Sequence, residues 1–260
     1  MENKPMLEAH RGICTRYPEN TLAAFQGAAR EGYDMIELDM KFTLDGKCII
    51  FHDTTLFRTA RRRNGAVIPR ETKITELNSN ELSEYEVGSW FSPEFAGEPI
   101  PTLADAIGFS LDSGIPLKFD NCLFRFHREL RQGFYNELRK SGITEAGASS
   151  AGFTVGTLEA ASEVLDEFPH AVIHYDGEIT EAALSTLSTS VKEENLYLWA
   201  PLRKMSWLPF PPATAEDVRL MKRYGKVGLW IVDSTEQIEH ALSLGADIIE
   251  TTGCMTKAHL

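Results

Sequence analysis

The sequence predicts an α/β protein folded as one (β/α)8 barrel, and three observations carry the prediction. Short apolar runs alternate with longer helix-patterned stretches almost to the end of the chain, a pattern that gives parallel strands joined by right-handed crossovers. About eight such units occupy the 260 residues, close to the roughly 250 of a typical barrel. No G-x-G-x-x-G follows the first strand, which counts against a doubly wound open sheet. A single domain over residues 1–260 is expected.

Each element has a local reason. The apolar run at 6–9 is the first strand, and Asn20 is placed to cap a helix over 21–31. Strands are expected at 34–39 and 48–51, with Asp45-Gly46 as the turn between them, and His52 ends the second. Residues 54–101 are long, polar and rich in turn residues, so they read as an insertion of the kind that forms lids or binding loops. Thr102 caps a helix over 103–113. Further strands are expected at 115–119, 146–149, 171–175, 196–199, 227–232 and 247–250. Helices over 123–140, 155–167, 180–190, 214–224 and 234–244 separate them, and Gly142, Gly225 and Gly245 stop three of these.

Composition narrows the function. The chain is 43% apolar and 25% charged, an ordinary globular balance. A net charge of -12 with no basic stripe argues against nucleic acid as a partner. An anionic substrate would need a local cation, and a metal ion would supply one. Four scattered cysteines without a C-x-x-C pair suit a reducing compartment. The start MENKPMLEAHRG shows no signal-peptide core, and no apolar run reaches membrane length, so a cytoplasmic protein without a membrane anchor is expected. A homo-oligomer is compatible with these features.

The ionisable residues concentrate at strand ends. Glu37 and Asp39 are two apart, so in a strand they share a face at its carboxyl end, where barrels carry their active sites. Such a pair raises the pKa of its members, and a divalent cation relieves the repulsion; oxygen ligands favour Mg²⁺ or Ca²⁺. The alternative is two solvated charges. His10 and His52 each end a strand and would reach the same mouth as general acid and base. Asp120 ends the strand IPLKF and is a candidate third ligand. Lys118 shares its face, and a core salt bridge between the two is the alternative.

In order, HRG at 10–12, PENT at 18–21, IELD at 36–39, T-x-D-G at 43–46, HD at 52–53 and IPTL at 100–103 resemble the glycerophosphodiester phosphodiesterase family, and LWIV at 229–232 and GADIIETT at 245–252 resemble its last two barrel strands. The resemblance is dense up to Leu103 and thin from about 120 to 225. It implies a TIM barrel with a small insertion after the strand ending at His52. It also implies metal-dependent hydrolysis of a small-molecule glycerophosphodiester to glycerol 3-phosphate and an alcohol. Carried over, His10 and His52 are the acid/base pair, Glu37, Asp39 and Asp120 hold one divalent cation, and Arg11 binds phosphate. The chemistry agrees: a cation and a guanidinium suit charge building on phosphoryl oxygens. The nucleophile in the family is the neighbouring glycerol hydroxyl or a water, and the sequence leaves both open.

The chain departs from the family in several places. The family's Glu-x-Lys is Asp120-Asn121-Cys122, which withdraws one carboxylate by about 1.5 Å and removes an ammonium. Lys118 is the expected substitute at the phosphate. The family's Thr-Asp near the last strand is Thr251-Thr252, and HYDGE at 174–178 and LWAPLRKMSW at 198–207 are unusual. Head-group choice is expected in the insertion and in those two loops. Arg58, Arg61, Arg62 and Arg63 form a basic stretch that is solvated or faces an anionic head group. An amidohydrolase would need an H-x-H pair on the first strand, and AHRG has a single His. The altered Glu-x-Lys strand keeps a further alternative open, a family member with another phosphodiester substrate or with binding only.

Overall fold

A computed structural model describes residues 4–142, 151–206 and 211–257. Strand β1 (Met6–His10) leads into α1 (Leu22–Arg30) and β2 (Met35–Leu38). The chain then leaves the barrel, pairing β3 (Met40–Phe42) with β4 (Cys48–Ile50) and β5 (Arg61–Arg62) with β6 (Tyr85–Glu86). Helix α2 (Leu103–Ser113) returns it to β7 (Leu117–Phe119). Then follow α3 (Arg128–Ser141), β8 (Ala151–Val155), α4 (Leu158–Glu167), β9 (Val172–Tyr175) and α5 (Glu181–Ser190). The barrel is completed by β10 (Leu196–Pro201), α6 (Ala215–Met221), β11 (Lys226–Trp230), α7 (Thr235–Leu244) and β12 (Ile248–Thr251). Eight parallel strands close in the order β1-β12-β11-β10-β9-β8-β7-β2.

Helix starts are set by hydroxyls. Thr21, Thr102, Thr157, Thr180, Thr214 and Ser234 each accept a hydrogen bond from an amide of the first turn, in six of the seven described helices. Asn20 is therefore not the cap of α1. It takes a left-handed backbone, φ 56°, and turns its side chain elsewhere. Gly142 and Gly245 end α3 and α7 in the left-handed conformation, as expected. The expected helix over 123–140 is split: a 3-10 turn over Asn121–Arg125 is capped by Asp120, and α3 starts at Arg128. The strand expected at 146–149 lies outside the described residues, and the barrel strand there is β8.

One expectation is corrected. Residues 48–51 do not form a barrel strand beside 34–39. They pair antiparallel with β3 as a separate hairpin, Phe42 opposite Cys48. The link is too short for a parallel crossover, and Gly46, at φ 75°, closes it as a tight turn. The excursion from the barrel thus begins at Met40. Its apolar residues form their own cluster, with Ile49, Phe51, Leu56, Ile74, Tyr85 and Ile100 all buried.

Side chains alternate along the barrel strands. Leu7, Ala9, Ile36, Leu38, Phe119, Phe153 and Ile173 join the core beneath the helices. The barrel interior is apolar at its base, where Val172, Tyr197 and Ile248 pack with Met6. Above that layer it becomes ionic. Lys118, 4% exposed, donates to Glu250 at 2.8 Å and to Glu8. Its ammonium lies 3.6 Å from the ring centre of Trp199. The Trp199 indole donates to His174 Nδ1 at 2.9 Å, and a Cβ on Gly152 or Gly228 would collide with His174 or Trp199 respectively. Burial pushes the Glu8 carboxyl well above its ordinary value against the pull of Lys118, and Glu250 adds to the rise. Lys118 and then His10 hold Glu250 low against its burial. The opposite shifts favour a neutral Glu8 beside an ionised Glu250, the arrangement in which one anion balances one cation.

This balance predicts unequal mutational costs. Lys118→Met strands a buried carboxylate and should cost about 3–5 kcal/mol in urea denaturation. Glu8→Gln keeps shape and a neutral group, and should stay within about 1.5 kcal/mol of the parent in the same experiment.

Candidate active site

The carboxyl ends of the barrel strands surround a cavity of about 1270 Å³, lined among others by His10, Arg11, Glu37, Asp39, His52, Lys118, Asp120 and Glu250. All seven residues singled out in the sequence line this cavity. Their positions follow from a few local devices.

The HRG segment turns sharply at the end of β1. Arg11 has φ 59° and Gly12 φ 80°. A Cβ on Gly12 would lie 2.6 Å from that of Ala24 in α1, so the turn requires glycine there. The strained backbone at Arg11 is of the kind that clusters at functional sites. It sets the guanidinium Nε 3.0 Å from Asp39 Oδ2 and Nη1 3.0 Å from Glu19 Oε1. The Arg11 amide donates to Glu37 Oε2 at 3.2 Å.

PENT supplies three supports. Glu19 holds Arg11; the Asn20 amide donates to Asp39 Oδ2 at 2.9 Å and accepts from the Asp39 amide at 3.3 Å; Thr21 caps α1. Against the cost of burial, Arg11 and then His52, His10 and the Asn20 bond hold the Asp39 carboxyl below its ordinary value. Glu37 goes the other way, pushed well up by burial and by the charges of Asp39 and Asp120.

His10 is mostly buried, with Nε2 3.8 Å from Glu37 Oε2 and 4.0 Å from Glu250 Oε1. Burial lowers its pKa, partly offset by Glu250. His52 follows β4 rather than a barrel strand, yet reaches the same cavity. Its Nδ1 and Asp53 Oδ1 are 2.6 Å apart, which leaves Nε2 free for proton transfer. Asp53 is the orienting partner. Burial works against its ionisation, but bonds from His52 and Arg58 hold it well below the usual range. Arg58 is not a free basic group: it bonds Asp53 through Nε at 2.7 Å and Glu19 through both terminal nitrogens at 2.7 Å. Arg11, Glu19, Arg58, Asp53 and His52 thus form one ionic chain along one side of the mouth. Arg62 pairs with Glu84, and Arg61 and Arg63 bond backbone carbonyls.

Ligand atoms of Asp39, Asp120 and Cys122 lie within 4.8 Å of one another. Glu37 is not a member of this group, but it adjoins it. Three mutually repelling carboxyls beside one cavity fit an oxygen-loving divalent cation. The Cys122 thiol fits one less well. It donates to Met40 O at 3.4 Å, and burial, with Asp120 and Asp39, pushes its pKa well up. The salt bridge considered between Lys118 and Asp120 is absent from the described contacts, because Lys118 is held by Glu8 and Glu250 one layer down.

The sequence did not single out Glu8, Glu250 or Thr154, and it reached Asp176 and Trp199 only as members of the two unusual stretches. A period-two signal existed for Glu8 and Glu250, since each is an ionisable residue inside an apolar strand, and Glu8 shares a face with His10. Residues 54–101 do not line the cavity among the described residues, whereas Asp176, Gly177, Glu178, Trp199 and Pro201 do. Of the places expected to choose the head group, the HYDGE stretch lines the cavity, the second stretch reaches it through Trp199 and Pro201 of β10, and the insertion stands aside. Asp176 is held by Asn121 Nδ2 at 2.9 Å, and burial, with Asp120, raises its pKa to about 6.

Fold and site together define a class: a (β/α)8 barrel whose mouth joins carboxylates, an arginine and two histidines. The chain belongs to the glycerophosphoryl diester phosphodiesterase family, whose model matches residues 10–227. It is 41% identical over 100 residues to the glycerophosphodiester phosphodiesterase of Caldanaerobacter subterraneus subsp. tengcongensis, which is 38% of each chain. To the human glycerophosphodiester phosphodiesterase 1 it is 35% identical over 112 residues, 43% of this chain and 32% of that protein. The aligned stretches thus span well under half the length of these relatives. Among solved structures, an Oleispira antarctica phosphodiesterase in complex with the product sn-glycerol-3-phosphate matches with a TM-score of 0.70 at 22% identity, covering 96% of this chain and 93% of that one. The glycerophosphodiester phosphodiesterase of Agrobacterium tumefaciens matches with a TM-score of 0.70 at 18% identity, covering 96% of each chain. At these identities the structures establish the shared fold. No helix among the described residues is long and apolar enough to cross a membrane.

The raised pKa of Asp176 has a consequence for stability. The folded state holds this proton up to about pH 6, the unfolded chain only up to about pH 4. Between these values the folded state binds more protons, so stability falls as pH rises. Asp176→Asn lacks the titration. In EDTA, its Tm relative to the parent should climb between about pH 4.5 and pH 7. A pH-independent difference would show that Asp176 titrates normally.

Proposed function

We propose that this chain, as a single catalytic domain, hydrolyses glycerophosphodiesters to glycerol 3-phosphate and an alcohol with one divalent cation, Mg²⁺ or Ca²⁺. The observation that carries the reading is the convergence of His10, His52, Arg11 and the carboxyls of Glu37, Asp39 and Asp120 on one cavity. Membership of the family supports it. A cytoplasmic setting is part of the proposal.

Glu37, Asp39 and Asp120 would hold the cation, which supplies Lewis-acid stabilisation of charge on the phosphoryl oxygens. Arg11, fixed by Asp39 and Glu19, presents its guanidinium to the phosphate, a geometry suited to two oxygens at once. His10 is kept neutral by burial, which suits acceptance of a proton at Nε2 from the attacking hydroxyl. His52 donates through Nδ1 to Asp53, so a proton carried at Nε2 is available to the leaving alkoxide. Lys118 supports this arrangement from below: it holds Glu250, which faces His10, and is not free to reach a phosphate.

A second reading, a member of the family with another phosphodiester substrate, is favoured by one observation. Where the family carries an ammonium, this chain has the neutral Cys122 thiol, and Lys118 is already bound.

The test is release of glycerol 3-phosphate from glycerophosphocholine, glycerophosphoethanolamine and glycerophosphoglycerol with Mg²⁺, Ca²⁺ or EDTA. Turnover with metal and loss with EDTA are expected; activity that survives EDTA would sink the cation. His10→Ala and His52→Ala should each lower kcat about 100-fold or more. Asp53→Asn should lower kcat with little change in KM, because it misorients His52 without touching substrate binding. A near-parental rate in a histidine variant would remove that residue from the mechanism.

A further inference from the structure

The β7–β9 side of the mouth holds two polar atoms that the proposed reaction does not use. Thr154, on β8, is 5% exposed and lines the cavity, and among the described residues its Oγ1 has no hydrogen-bond partner. Asp176, just past β9, lines the same cavity. Its Oδ2 is fixed by Asn121, while its Oδ1 is buried and likewise without a partner among the described residues. Thr154 pairs with His174 in register, so Asp176 stands one step further up the mouth on the neighbouring strand. Gly156 follows Thr154 by two residues, and a Cβ there would lie 3.5 Å from Asp176 Oδ1. The missing side chain leaves a notch beside that oxygen. Buried polar atoms without partners are unfavourable, and sites that leave them so are built to be satisfied by a ligand.

We propose that this notch binds a hydroxyl of the alcohol head group of the substrate, with Thr154 and Asp176 as specificity-determining residues. The inference rests on the function proposed above. One feature favours the head group: the residues around Asp176 belong to the HYDGE stretch, which departs from the family pattern. A carboxylate oxygen accepts, and a threonine hydroxyl both accepts and donates. Together they match a hydroxylated head group, whereas a quaternary ammonium has no proton to donate and meets only the charge of Asp176.

The test compares kcat/KM for glycerophosphoglycerol and glycerophosphocholine in the parent, Thr154→Val and Asp176→Ala. Thr154→Val keeps shape and removes the hydroxyl. Thr154→Val should lose about tenfold or more on glycerophosphoglycerol while staying within about twofold on glycerophosphocholine, and Asp176→Ala should lose more on the former than on the latter. Thr154→Ser should restore the first activity. Equal losses on both substrates, no loss on either, or a selective loss on glycerophosphoethanolamine would overturn the proposal. Unchanged far-ultraviolet dichroism and an unchanged rate on glycerophosphocholine establish that a variant is folded. If the parent cleaves none of these diesters, the proposed function falls separately. Calorimetric titration then still decides the notch: Thr154→Val must weaken glycerophosphoglycerol binding and leave glycerophosphocholine binding unchanged.

Discussion

A lysine shared between two glutamates in the middle of the barrel is the constraint on which the mouth depends. A barrel interior is ordinarily filled with branched apolar side chains. Here Glu8, Lys118 and Glu250 meet instead, with the Lys118 ammonium against the face of Trp199. Three ionisable groups away from water are tolerable only if the charges cancel and the donors are used. Burial favours the neutral form of Glu8 and Lys118 holds Glu250 ionised, which eases the first condition, although Glu8 Oε2 has no partner among the described residues. Because Glu250 also faces His10, the same cancellation that makes the core stable fixes the electrostatic setting of a candidate catalytic group.

Above that layer the mouth works by opposed demands on its carboxyls. Asp39 is held anionic by Arg11 and Asn20, while Glu37 is driven toward its neutral form by its neighbours. A divalent cation would relieve this asymmetry. Asp120 converges with Asp39, and the Cys122 thiol turns its donor to Met40 O.

Much of the barrel was legible because its signals are local. Strand-helix alternation, hydroxyl caps and the glycines after α3 and α7 are read within a few residues. The His, Arg and carboxylate positions followed from strand ends and from motif order. What stayed hidden depends on partners far apart in the chain. The antiparallel pairing of β3 with β4 hinges on a turn, and its apolar run cannot be told from a parallel strand by pattern alone. Lys118 looked like a neighbour of Asp120, since nothing within the strand announces Glu8 and Glu250, 110 and 132 residues away. Asn20 has good capping chemistry, yet its left-handed backbone spends that chemistry on Asp39.

The insertion does not wall the cavity, but it is not a bystander. It packs its own small cluster, separate from the main core, and sends one side chain, Arg58, to both Asp53 and Glu19. Structures of this kind open in cooperative pieces, each with its own free energy below the global one. Opening of this piece would free the tether of His52 and the support of Arg11 in the same event, with the barrel intact. The fraction of molecules ready for catalysis would then track the stability of the accessory chain between β2 and α2, rather than that of the barrel that holds the chemistry.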